Sequence, residues 1–169
     1  VNLHKKPQKK SEIVTQMIYG ESFSILKRSL KWLKVKILED NYKGFVQRKN
    51  FSNFLKPSHK VKVLRAKVYK FAKKGKKINE ISFGSKIKVE HKKTKFLKFS
   101  KGWISKNDVS PISFKQSNPF KNVSIFKNVK YKWGGKSFKG LDCSALIQIF
   151  LNFNNSCLLY TSPSPRDRY

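Results

Sequence analysis

Residues 131–146 read Tyr131-Lys-Trp-Gly-Gly-Lys-Ser-Phe-Lys-Gly-Leu-Asp-Cys-Ser-Ala-Leu146, and this stretch decides how the rest of the chain is read. A thiol acts as a nucleophile only as the thiolate, and a free cysteine near pKa 8.5 is mostly protonated at neutral pH. Seating the sulfur in the first turn of a helix is one remedy, because unsatisfied N–H groups and the macrodipole there favour negative charge. The order of residues fits such a seat. Gly140 closes a loop, Asp142 is a good N-cap, and residues 144–151 follow without Gly or Pro. Leu146, Ile149, Phe150 and Phe153 recur at spacings of three and four, which predicts a helix with one apolar stripe. Gly134 and Gly135 allow a tight backbone approach just before the nucleophile.

The whole pattern resembles the Y-x-W-G-G-x(4)-G-x-D-C-S-x-L signature of the NlpC/P60 family of cell-wall peptide hydrolases. One position departs from it: Ala145 stands where the family more often has glycine. The resemblance implies a papain-like α+β domain in which Cys143 is the nucleophile, Asp142 and Ser144 flank it, and Tyr131 and Trp133 line the cleft. A cysteine nucleophile also needs a base, nearly always histidine, oriented by a third group. In the family that histidine follows the cysteine by several dozen residues. Here His4, His59 and His91 all precede the motif, and each reads as a surface residue. No catalytic histidine is carried over, so the chain is expected to be inactive as it stands.

Residues 157–167, Cys-Leu-Leu-Tyr-Thr-Ser-Pro-Ser-Pro-Arg-Asp, resemble a translated tagmentation sequencing adapter. Residues 157–169 are therefore set outside the fold reasoning, and residues 122–156 are expected to be the first part of a truncated catalytic domain. About 35 residues cannot bury their own apolar stripe, since below about 40 residues a core needs outside support. The chain is expected to fold poorly past residue 120.

Upstream, an internal repeat stands out. Gly20-Glu-Ser-Phe-Ser-Ile-Leu26, Trp32-Leu-Lys-Val-Lys-Ile37 and Tyr42-Lys-Gly-Phe-Val46 are answered by residues 84–89, 96–99 and 102–104. Trp32, Lys34 and Lys36 alternate with Leu33, Val35 and Ile37, the period-two pattern of half-buried strands. The first unit, opening with Asn2-Leu-His-Lys-Lys-Pro7, resembles bacterial SH3 domains. The expected fold is mostly β: two small SH3-like barrels, residues 1–56 and 59–110, then a linker over 111–121 and the helix-bearing catalytic segment. In the family branch with this layout the barrel nearest the cleft helps bind the substrate's free amino terminus. That resemblance offers Asp142, and more weakly Glu21 and Tyr42, as partners for an ammonium. On its own, Glu21 reads as a solvated loop carboxylate.

The net charge is +30. A basic surface of this size raises nucleic acid or anionic lipid as a partner. Only five of the 39 basic residues are arginine, however, and the lysines fall largely on the outward alternation of strands. No zinc spacing, P-loop or RNA-reading motif is present. The expected partners are peptidoglycan stem peptides or anionic wall polymers, with no cofactor, no specific nucleic acid and no membrane-spanning segment. Bacterial cytoplasmic recycling and trimming in the periplasm or envelope are both compatible with the sequence. The rival readings are a wall-binding SH3 module without catalysis and a basic nucleic-acid binder.

Overall fold

The computed structural model describes residues 1–49, 51–54 and 56–156. The adapter-like residues 157–169 lie outside the described residues.

The first repeat builds one five-stranded sheet. Its strands are β1 (Asn2–His4), β2 (Ile13–Gln16), β3 (Phe23–Arg28), β4 (Trp32–Ile37) and β5 (Lys43–Gln47), in the spatial order β2-β1-β5-β4-β3. The alternation read from β4 is realised: Leu33, Val35 and Ile37 are buried, and they join Leu3, Met17 and Val46 in one core.

The second repeat forms two sheets. Its strands are β6 (His59–Val61), β7 (Arg65–Tyr69), β8 (Lys77–Ser82), β9 (Lys86–Ile87), β10 (His91–Lys92), β11 (Phe96–Phe99), β12 (Gly102–Ser105) and β13 (Val109–Pro111). The five-stranded sheet runs β10-β11-β12-β7-β8, and a smaller one runs β13-β6-β9. Val61, Ala66, Val68, Ile81, Ile87, Leu97, Phe99 and Ile104 fill the space between them. Neither repeat closes into a barrel, which corrects that detail of the expected mostly β fold. Each repeat carries a left-handed glycine, Gly20 (φ +85°) between β2 and β3 and Gly84 (φ +78°) between β8 and β9. The Gly20 turn lies against β9 so closely that a Cβ would stand 2.0 Å from the Lys86 carbonyl oxygen. Only glycine fits that contact, for steric as well as conformational reasons.

The last segment contributes a short hairpin, β14 (Lys136–Ser137) with β15 (Gly140–Leu141), and one helix, α1 (Cys143–Phe153). The apolar stripe of α1 is buried, and the support comes from the second repeat. Phe83, 1% exposed, stacks on Phe153 at 4.7 Å and touches Phe150 at 5.0 Å and Phe126 at 5.7 Å. Leu64 adds to the same cluster. The outside support that so short a segment requires is thus supplied by the neighbouring sheet, from which α1 takes its core partners.

The C-terminal end of α1 is held by Lys60, a buried residue of β6. Its ammonium donates to the carbonyl oxygens of Phe114, at 2.5 Å, and of Phe153, and lies 4.5 Å from the Phe153 ring centroid. A cation suits a helix C-terminus, but burial, with repulsion from Lys86 and Lys115, lowers the Lys60 pKa from 10.5 to about 8.

Two outcomes are expected. Phe83→Ala removes the aromatic hub and destabilises by about 3–5 kcal/mol. Limited proteolysis of that variant should cut within residues 112–156 while residues 59–110 resist. Between pH 8 and 10.5 the unfolded chain keeps a proton that folded Lys60 has released, so this group makes stability rise with pH across that window. Denaturant titrations at pH 7.5 and 10 should show the rise shrinking in Lys60→Met relative to the parent chain.

Candidate active site

Asp142 has extended backbone and caps α1. Its Oδ1 accepts from the Ala145 N–H at 2.8 Å and from the Ser144 hydroxyl at 2.9 Å. That places Cys143 as the first residue of the helix, with its side chain exposed to solvent. A thiol so placed stands at the positive end of the helix macrodipole. Asp142 itself is 2% exposed, so its carboxylate acts on the helix end from inside the protein.

The turn before the helix is fixed by the first sheet. Gly134 has φ +65°, and a Cβ there would stand 2.6 Å from the Ile13 carbonyl oxygen of edge strand β2. On either side of it, Glu12 just before β2 and Gln16 at its end make two further ties. The Trp133 indole N–H donates to Glu12 at 3.1 Å, and the Lys136 backbone N–H donates to the Gln16 side chain at 3.0 Å. Trp133 remains about half exposed, and Tyr131, bridged to Leu141, is 66% exposed. The glycine pair is thus explained by backbone approach: one element must pass directly over another.

The tightest feature was not anticipated. The Lys136 side chain is completely buried between two carboxylates of the first sheet's loops, with Nζ 2.5 Å from Glu21 Oε1 and 2.8 Å from Asp40 Oδ2. The Glu21 side chain is 4% exposed, and its other oxygen accepts from the Ile18 N–H at 2.9 Å. The reading of Glu21 as a solvated loop carboxylate is therefore corrected. Both of its oxygens have protein donors, one of them an internal ammonium. Burial acts against the charge on Lys136, but Glu21 and Asp40 together outweigh it and hold its pKa above the ordinary lysine value. With two acids for one base, Glu21 carries the imbalance: burial first, and Asp40 nearby, push its pKa up against the pull of Lys136. Tyr42 stands beside this cluster, its backbone N–H donating to Asp40 at 3.1 Å and its hydroxyl buried.

Asp40 and Lys136 carried little sequence signal. One lysine among so many is inconspicuous, whereas nine acidic residues against 39 basic ones make each acid worth tracing. Neighbouring Glu39 illustrates this: it accepts from Lys86 of the second repeat at 3.2 Å. A single turn between β4 and β5 thereby grips both the second repeat and the thiol segment.

The histidines lie elsewhere. His4 Nδ1 pairs with the Ser11 carbonyl and its ring meets Trp32 edge-on; His59 Nδ1 pairs with the Ser58 hydroxyl; His91 is exposed on β10. Among the described residues there is no group of three or more His, Cys, Asp or Glu that could hold a metal ion. No described helix is long and apolar enough to cross a membrane.

Residues 3–51 match the family described as bacterial dipeptidyl-peptidase Sh3 domain. The structure is similar to that of an NlpC/P60 family protein from Bacillus cereus ATCC 10987, with a TM-score of 0.70 at 20% identity. The similarity covers 84% of this chain and 55% of that one, so the chain spans about half of that protein's length. No curated protein sequence matches the chain. Both parts of the resemblance read from the sequence, an SH3-type beginning and an NlpC/P60-type fold, are met.

Lys136→Met should leave Glu21 and Asp40 buried without their cation and cost about 3–5 kcal/mol, whereas Glu21→Gln leaves a one-to-one pair and should cost less than about 1 kcal/mol. Urea denaturation of the two variants checks the order. Equal losses would contradict the two-to-one accounting.

Proposed function

We propose that this chain is part of a peptidoglycan stem-peptide hydrolase that uses Cys143 as nucleophile. The observation that carries the reading is the exposed Cys143 thiol at the first residue of α1, capped by Asp142 and reached through a glycine turn clamped to the SH3-type sheet. In the proposed reaction the thiolate attacks a peptide carbonyl, and an oxyanion forms in the first turn of the helix. The bond to the amine breaks to leave a thioester at Cys143, which water then hydrolyses. The bond proposed is that between γ-D-glutamate and the diamino acid of the stem peptide. Trp133 and Tyr131, both largely exposed, would flank the bound peptide.

Of the groups proposed to meet a substrate ammonium, the Asp142 carboxylate is 2% exposed and engaged in the helix cap, and the Tyr42 hydroxyl is buried beside the Lys136 cluster, so both support the site from within. Glu21 was the third candidate, and its engagement with Lys136 makes it a weak acceptor for a substrate ammonium unless Lys136 withdraws. The three histidines each lie on strands of the two repeats, with partners other than the helix cap given for His4 and His59. General-base assistance from within the described residues therefore has no candidate, and turnover by this chain alone is not expected. The SH3-type match supports a second role for the same chain, retention on wall polymer without catalysis.

The test uses the full chain carrying Cys157→Ser, so that one thiol remains. Iodoacetamide should alkylate Cys143 under native conditions, while a γ-D-glutamyl-diaminopimelyl peptide should remain uncut by mass spectrometry. Release of product, abolished by Cys143→Ser, would overturn the inactive reading and leave the nucleophile assignment standing. A thiol that resists alkylation until the protein is denatured would overturn the nucleophile assignment itself.

A further inference from the structure

The free edge of the second five-stranded sheet borders a cleft that the thiol site does not use. β8 is the last strand in the order β10-β11-β12-β7-β8, and among the described residues no strand pairs with its other side. The Glu80 N–H finds its partner within β8 itself, donating to the Asn79 side chain at 2.8 Å. Lys77, Ile78, Asn79 and Glu80 are consecutive, yet all four line one cavity of about 200 Å³. Successive residues of a strand face opposite ways, so this cavity follows the edge of the strand. Phe138 and Lys139, at the tip of the β14–β15 hairpin, also line it, and with Glu80 they border a second cavity of about 270 Å³. The inner cavity runs past Ser82 to Ser85 and is flanked by residues 16–19 of the first repeat.

The character of the cleft changes along its length. At the mouth Ile78 is 47% exposed, and Arg65 lies 5.6 Å from the Phe138 ring centroid. The inner cavity is lined by three serines, Ser82, Ser85 and Ser137. Ser85 is completely buried, and its hydroxyl has no hydrogen-bond partner among the described residues. A hydroxyl in that state costs stability until an acceptor is supplied. Charge here is one-sided. Glu80 is the single carboxylate among the described lining residues, and it pairs with Lys77 at 3.1 Å and Arg65 at 3.6 Å. Lys139 adds an exposed cation beside them.

We propose that this cleft binds the carboxyl end of an extended peptide, which pairs with the β8 edge and seats its terminal carboxylate among Ser82, Ser85 and Ser137. Strand addition supplies main-chain hydrogen bonds, hydroxyl donors suit a carboxylate, and the Lys139 ammonium favours the same charge. Other occupants match less of the cleft. A sugar-phosphate chain has no alternating N–H and C=O groups to pair with a strand edge. A second copy of a chain with net charge +30 would be repelled. Cys143 lines neither cavity, so the inference is independent of the peptidase reading.

Fluorescence anisotropy of the full chain with fluorescein-labelled Ser-Thr-Val-Thr-Val, bearing a free carboxylate, tests the assignment. The acid should bind with Kd below about 1 mM, and its C-terminal amide about tenfold more weakly. Ser85→Ala should weaken binding about fivefold while the melting temperature of the free protein stays level or rises, because an unsatisfied buried group has gone. Lys139→Gln should weaken binding about threefold, whereas Lys31→Gln, an exposed charge between β3 and β4, should leave it within about 1.5-fold. Equal binding of acid and amide would overturn the proposal, as would equal losses from the two lysine variants or no binding of the acid. If Ser85→Ala lowers the melting temperature, the acid–amide comparison and the lysine pair still decide.

Discussion

One buried cation organises this molecule. Lys136 belongs to the thiol segment, and Glu21 and Asp40 belong to loops of the first sheet, so their cluster exists only when distant parts of the chain have met. Such a cluster adds little net stability over an apolar contact of the same size, because desolvation offsets the attraction. Its effect is selective. Any arrangement that leaves Lys136 or the two carboxylates buried without each other is heavily penalised. The Gly134 crossing over β2 and the Trp133–Glu12 bond are compatible with the same placement, and together they fix the turn that delivers Cys143.

The parts legible in the sequence were those governed by local rules. Asp142, the unbroken run after it and the three-four spacing of Leu146, Ile149, Phe150 and Phe153 specify a capped amphipathic helix without reference to anything else. Period-two alternation located β4 and the repeat of strands for the same reason. What escaped were properties of assembly. Lys136 looks like any other lysine, and Glu21 like any loop carboxylate, until the fold removes water from both. Phe83 sits at the end of a strand, and nothing local says that its ring will serve a helix some seventy residues further on. Open sheets in place of closed barrels likewise reflect how the strands meet, which alternation alone does not determine.

Charge is distributed unequally between inside and outside. Glu12, Glu21, Glu39, Asp40, Glu80 and Asp142 all hold hydrogen bonds or ion pairs within the protein. With Glu21, Glu39, Asp40 and Asp142 turned to internal tasks, few acids are left to balance the lysines of the surface. Salt screens charges separated by more than about 10 Å at 0.1 M, so the long-range part of that field is set by the medium. Buried contacts such as that of the Lys60 ammonium with the Phe153 ring, 4.5 Å from its centroid, are far less exposed to screening.

The Gly20 turn, lodged against the Lys86 carbonyl with no room for a side chain, bears on how such a chain could be rearranged over evolution. Two repeats joined by a free linker could be duplicated, exchanged or lost like beads. Here the first repeat is keyed into the second by backbone against backbone, with Lys86 also reaching across to Glu39. A recombination event that replaced either repeat would have to bring the matching half of that seam with it. The unit of inheritance is therefore the pair.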